Sequence, residues 1–122
     1  VSDWRPKKRD DNKNKKNGKK SWSIELIQNP DIIAGIKSEH LIKIGFAAET
    51  EDLEINAKSK IAAKGLDFIV ANDITSKDSG FSVDTNKVTL IHADGSIERL
   101  PVMPKYEVAH AILDRMRTGL NR

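Results

Sequence analysis

Two groups of residues in this 122-residue chain have the types and spacing to meet a phosphate. The first is a basic run, Lys13, Lys15 and Lys16, followed closely by Lys19 and Lys20. Ammonium groups gathered on an arm without apolar neighbours attract the phosphates of nucleic acids, membranes or nucleotides. The second is Gly45-Phe46-Ala47-Ala48-Glu49-Thr50, which lies between an apolar stretch and a helical pattern. Open α/β folds place ligands there, outside the carboxyl end of a strand and beside a helix N-terminus. Glu49 is read as a brace of that turn rather than an acid–base group. Asn72-Asp73, at the end of another apolar run, either contacts a ligand or makes an Asx turn.

These groups need elements to hold them. Residues 22–26 alternate apolar and polar, which predicts a half-buried strand. Asn29-Pro30-Asp31 is expected to open a short helix over residues 32–36, with Asn29 as N-cap and Pro30 suited to the first helical position. Residues 41–46 predict a strand in which Lys43 is the one charge. Thr50 then caps a helix whose first turn carries Glu51 and Asp52, as the helix dipole favours. Leu53, Ala57 and Ile61 form its apolar stripe, and Gly65 is suited to end it. Residues 68–71 are uniformly apolar, as in a strand buried on both faces. Strand, helix and strand in this order predict a right-handed parallel βαβ unit. Ser79-Gly80 marks a turn inside a loop. Asp94-Gly95 between two strand-like runs predicts a hairpin. A last helix starts near Pro104 and carries Val108, Ala111, Ile112, Arg115 and Met116. The whole predicts a Rossmann-like, three-layer α/β domain with parallel strands and an antiparallel hairpin at one edge. With no glycine-rich first βα turn, it reads as the second half of a doubly wound sheet, a partial domain.

Composition narrows the function. Residues 1–20 carry nine Lys/Arg and three Asp, a net of +6, while the whole chain is only +3. The chain is therefore a basic arm on a mildly acidic body. Residues 7–20 contain no apolar side chain, and such a segment cannot offset its ordering entropy by burial, so a mobile flap is expected there. There is no cysteine, which excludes disulfides, thiol nucleophiles and cysteine metal sites and fits a reducing cytoplasm. His40, His92 and His110 have no metal-ligand spacing. No apolar run reaches the ~18 residues of a membrane helix, and no membrane partner is expected.

Six motifs occur in one order: Val1-Ser2-Asp3-Trp4-Arg5-Pro6, Lys13-Asn14-Lys15-Lys16, Asn29-Pro30-Asp31-Ile32, Gly45 to Thr50, Ala71-Asn72-Asp73, and Gly80-Phe81 with Asp84-Thr85-Asn86. Together they resemble bacterial phosphopantothenate–cysteine ligase of coenzyme A biosynthesis, over essentially the whole chain. The resemblance implies a CTP-dependent ligation of 4′-phosphopantothenate to cysteine through an acyl-cytidylate. It also implies Mg2+ with the triphosphate, a homodimer, and FMN only where a decarboxylase domain is fused upstream. Carried over by position, Asp3 corresponds to a nucleotide-contacting aspartate and Lys13 to the catalytic lysine of a flap. Pro30, Asp31, Ile32 and Ile33 match a nucleotide-binding segment, and Phe46, Lys60 and Lys64 match further nucleotide contacts. No metal ligand is assigned. Asn14 departs from the family, which usually carries an apolar residue there.

The residues also support other readings. Lys60 and Lys64 are well placed simply to meet the dipole at a helix C-terminus. Lys60 lies ten residues beyond Thr50, roughly 15 Å along a helix, so one small group cannot meet both. The competing class is a nucleic-acid-binding module in which Trp4 and Trp22 stack on bases beside the basic arm. The resemblance itself places a glycine-rich start and an asparagine of the cysteine step before Val1, so the 122 residues alone are expected to be inactive.

Overall fold

The computed structural model describes residues 2–15, 17–49, 52–75 and 83–120. Contacts divide the chain into two units, Val1–Ile32 and Ile33–Arg122. Thr50, Glu51, Lys16 and the Ser79-Gly80 turn lie outside the described residues.

The first unit is built on a two-stranded antiparallel ribbon, β1 (Trp4–Pro6) with β2 (Leu26–Gln28). Two more backbone bonds extend it, Lys7 N–H to Glu25 O at 2.9 Å and Asn29 N–H to Asp3 O at 2.8 Å. The predicted strand over residues 22–26 is thus displaced to Leu26–Gln28. The alternation there has no buried face to serve, because Trp22, Ile24 and Leu26 are all exposed. Asn29 does not cap the helix that follows. Its amide donates to Ser2 O at 2.6 Å and its oxygen accepts from Arg5 at 2.7 Å, so it ties the two strand ends together. The short helix α1 spans Ile32–Gly35.

The second unit is organised by a four-stranded sheet in the order β3-β4-β6-β7. β3 (Ile44–Glu49) and β4 (Phe68–Asp73) pair in parallel across α2 (Leu53–Lys64), the expected strand–helix–strand unit. The first of these strands runs three residues further than the predicted end at Phe46. β5 (Thr85–Asn86) precedes β6 (Val88–His92), and β6 turns back into β7 (Ile97–Arg99) as an edge hairpin. Gly95, at φ 87°, supplies the left-handed residue of that turn, and Asp94 accepts hydrogen bonds from the Ser96 backbone and hydroxyl. β8 (Met103–Pro104) pairs with β5 just before α3 (Lys105–Leu120).

Period-two alternation gives the sheet two apolar faces. On one, Ala47, Ile69, Ala71 and Ile91 pack with Ala57 and Ile61 of α2. On the other, Phe68, Val70, Val88 and Leu90 pack with Val108 and Ile112 of α3. That is the three-layer α/β arrangement, and it explains why residues 68–71 are buried throughout. Gly45 permits close packing beneath α2, since a Cβ there would lie 2.7 Å from Leu66 Cδ1. Gly65 ends α2 at φ 61°, its N–H bonded to Ile61 O. The start of α2 differs from expectation. Asp52 is the N-cap residue, at φ 49° and with no side-chain capping bond, so it lies ahead of the first turn rather than in it. Aspartate tolerates this left-handed conformation better than most residues.

Candidate functional site

The candidate residues fall on both units, and each unit carries its own constellation. In the first, the ribbon fixes Asp3 at one strand end. The bond from Asn29 N–H to Asp3 O brings Asp3 beside the Asn29-Pro30-Asp31 segment. Residues 26 apart in sequence are thereby neighbours, while Asp3, Pro30, Asp31 and Ile32 all remain exposed. Lys13 lines an open cleft of about 740 Å³ with Lys15, Lys19, Lys20 and Trp22. Asp10 is the one carboxylate of that lining. Lys19 and Lys20, which follow the basic run in sequence, therefore share a cleft with Lys13. Four ammonium groups around one open space form a strongly positive surface for an anion.

In the second unit, Phe46 lies on edge strand β3, opposite Val70 of β4. Its ring is 69% exposed although every neighbour on β4 is buried, so it is a surface aromatic and not a core residue. Ile33 is half-buried and packs against the cluster that includes Ala57 and Ile61 of α2. Lys60 and Lys64 follow Asn56 along α2 at one-turn spacing, beside the face that Ala57 and Ile61 bury. Because α2 begins at Leu53, Lys60 is about 10 Å along the axis from the first helical residue. The helix start and the two lysines remain separate places.

At the carboxyl end of β4 the two alternatives for Asn72-Asp73 separate. Asp73 accepts hydrogen bonds from Thr75 N–H at 3.0 Å and from its hydroxyl, which is an Asx turn. Asn72 does something else. Its side-chain oxygen is buried and has no hydrogen-bond partner. A buried acceptor left unpaired costs about 1–3 kcal/mol, so Asn72 is the polar group at this strand end that still needs a donor.

One residue escaped the sequence reading. Lys43, taken as a lone charge in a strand, reaches across to the last turn of α2 and donates to Lys64 O at 2.7 Å. The signal was a single cation in an otherwise apolar run. Among the described residues no group of three or more His, Asp or Glu could hold a metal ion.

The chain matches the family described as DNA/pantothenate metabolism flavoprotein C-terminal domain over residues 1–120. The chain belongs to that family. It is 43% identical over 118 residues to the coenzyme A biosynthesis bifunctional protein CoaBC of Bacillus subtilis, covering 95% of this chain and 29% of the relative. The CoaBC of Borreliella burgdorferi is also 43% identical, over 117 residues, 93% of this chain and 29% of the relative. A crystal structure of the C-terminal domain of a CoaBC superposes with a TM-score of 0.73 at 33% identity, over 99% of this chain and 51% of that one. The α/β fold of this family member is thus that of part of a CoaBC C-terminal domain, and the chain spans under a third of the curated relatives' length. No helix among the described residues is long and apolar enough to cross a membrane.

Proposed function

We propose that this chain supplies part of the nucleotide site of a CTP-dependent ligase that joins 4′-phosphopantothenate to cysteine in coenzyme A biosynthesis. The observation that carries this reading is the 43% identity, over 95% of the chain, to a coenzyme A biosynthesis bifunctional protein. The six ordered motifs point the same way. The relatives lend no support to the nucleic-acid reading of the basic arm.

In the proposed reaction a carboxylate oxygen of phosphopantothenate attacks the α-phosphorus of CTP. The bond to the bridging oxygen breaks and pyrophosphate leaves. The cysteine amine then attacks the acyl carbon, loses a proton and displaces CMP. The first step spreads negative charge over phosphate oxygens, and positioned cations lower its barrier. Lys13 is the cation proposed to act there, from a cleft whose other lysines raise the local potential. Lys60 and Lys64 contact the nucleotide from α2, while Phe46 and Ile33 supply apolar contact. Asp3, Pro30, Asp31 and Ile32 form the segment on the first unit. With no group of carboxylates or histidines among the described residues to hold a metal, a Mg2+ ion accompanying the triphosphate would be held by phosphate oxygens and water. A homodimer in the cytoplasm belongs to the same proposal.

The test replaces the matching segment of Bacillus subtilis CoaBC with residues 1–122. The chimera is expected to form phosphopantothenoylcysteine with release of pyrophosphate from CTP. Lys13→Ala is expected to lower kcat by about 10²–10³ with an unchanged circular dichroism spectrum. A folded chimera that turns over without CTP, or equally well with Lys13→Ala, overturns the proposal.

A further inference from the structure

We infer that Lys43 is a positioning residue, which locks the turn beginning at Ile33 to the Lys64 end of α2 and so sets the nucleotide contacts of both. This inference rests on the proposed nucleotide site and adds to it a residue outside every motif that suggested that site.

The geometry is that of a hub. The Lys43 ammonium donates to Lys64 O at 2.7 Å and to Ile36 O at 3.0 Å. Its backbone is fixed as well, with Lys43 N–H bonded to Asp67 Oδ2 at 2.7 Å and Asp67 N–H bonded to Lys43 O at 2.8 Å. A half-buried ammonium held at both ends of its side chain cannot drift, as a surface lysine would. The carbonyls it meets are ones the helices cannot satisfy themselves. Lys64 O is among the last four of α2, and those oxygens carry the negative end of the helix dipole. Ile61 O, in contrast, already accepts from Gly65 and Leu66.

Gly65 fits the same purpose. A Cβ there would stand 3.3 Å from the Lys43 Nζ, so glycine both allows φ 61° and leaves room for the ammonium. The second arm of the hub reaches the turn in which Ile36 N–H bonds Ile33 O at 3.3 Å. Ile33 and Lys64, 31 residues apart, are therefore fixed relative to each other through one side chain. A cation of fixed reach between two carbonyls sets their separation, and a nucleotide that touches Ile33 and Lys64 senses it. A merely stabilising lysine would not matter to the ligand.

The experiment titrates the 122-residue chain with Mg·CTP and follows backbone amide shifts by NMR. Lys43→Met is expected to weaken CTP binding about tenfold, the order of one charge-assisted hydrogen bond. Lys43→Arg, which keeps donors for both carbonyls, is expected to recover most of it. Lys64→Ala is expected to weaken binding too, and the double variant to lose less than the sum of the two single losses, since part of the Lys43 effect acts through Lys64. Should Lys43→Met fail to fold, Lys43→Gln, with a shorter neutral donor, carries the same expectation. Wild-type affinity in a folded Lys43→Met chain, or additive losses in the double variant, overturns the inference alone. No saturable shifts in the parent chain, or none lost in Lys64→Ala, overturns the nucleotide reading beneath it.

Discussion

Residues 1–32 and residues 33–122 carry candidate ligand contacts in comparable number but are held by different forces. In the first unit no described residue is buried, and only Ile27 and Asn29 are half-buried. The ribbon persists through ladder bonds, the Asn29 tie between Ser2 and Arg5, and a Lys7–Glu25 ion pair. In the second unit Ile69, Val70, Val88, Leu90 and Ile91 are fully buried between two helices. Burial is worth about 1.5–3 kcal/mol per large side chain, whereas an exposed hydrogen bond or ion pair contributes about 1 kcal/mol or less. The sheet unit can therefore hold Phe46 and Lys64 in place before any ligand arrives. The ribbon unit offers Lys13 on a segment with no apolar anchor, which suits the closing role proposed for it. Scaffold and proposed flap are thus separated along the chain by the physics that holds each.

Truncation in the core gives the sharpest break of this contrast. Leu90→Ala is expected to cost about 2–5 kcal/mol, read as a lowered urea midpoint. Leu26→Ala, at a side chain 51% exposed on β2, is expected to change global stability within about 0.5 kcal/mol. Equal losses at the two positions would show that the ribbon has a core of its own.

A smaller effect sharpens the account of the scaffold. Gly45→Ala places a methyl group 2.7 Å from Leu66 Cδ1 and 3.1 Å from Ile69 Cγ1. Leu66 can swing aside only into a packed cluster, so a loss of about 1–3 kcal/mol is expected in the same unfolding assay. Gly18→Ala in the first unit meets nothing within 4 Å, and its cost comes only from φ 72°. A Gly45→Ala chain as stable as the parent would mean that β3 and α2 are less closely packed than their glycine implies.

The contrast also explains what the sequence disclosed. The βαβ unit, the Gly65 stop, the Asp94-Gly95 turn and the final helix were all legible, because each is local or has an apolar face to bury. The β1–β2 ribbon was not. Its strands lie about twenty residues apart, and the alternation over residues 22–26 mimicked a half-buried strand where nothing is buried. Asn29 misled for a related reason, since an Asn-Pro pair reads as a cap unless its tertiary partners are known. In the site, motif order marked Asp3, Lys13 and Phe46. The role of Lys43 depends on two carbonyls brought close only by folding, and no spacing rule reports that. Asn72 shows the reverse, a residue left open between two readings until its oxygen proved buried without a partner.

The smallest expected effect concerns charge, and it compares one ion pair from each unit. Arg115 of α3 holds Glu98 of β7 through two hydrogen bonds, one of them Nε to Oε2 at 3.0 Å. Hydrogen bonding from Arg115 holds the Glu98 carboxyl below its usual range. Partial burial opposes this, while the charges of Arg115 and His92 reinforce it. A carboxyl depressed in the folded state binds fewer protons there than in the unfolded chain. Its stabilisation is therefore complete above the unfolded value, about 4.3, and is lost as pH falls through the folded value. Both side chains are about one-third exposed, so solvent screening keeps the contribution below about 1 kcal/mol. Glu98→Gln is expected to lower the urea midpoint slightly at neutral pH, and the deficit to shrink as pH falls and to vanish below the folded value, where both carry a neutral group. Lys7 and Glu25, also paired at 2.9 Å, have side chains 51% and 69% exposed. Lys7→Ala should leave the midpoint unchanged at every pH, because that pair tethers a ribbon without contributing to a core. A Glu98→Gln deficit that persists undiminished at low pH would assign the Glu98 contribution to packing, and the two pairs would then differ in burial alone.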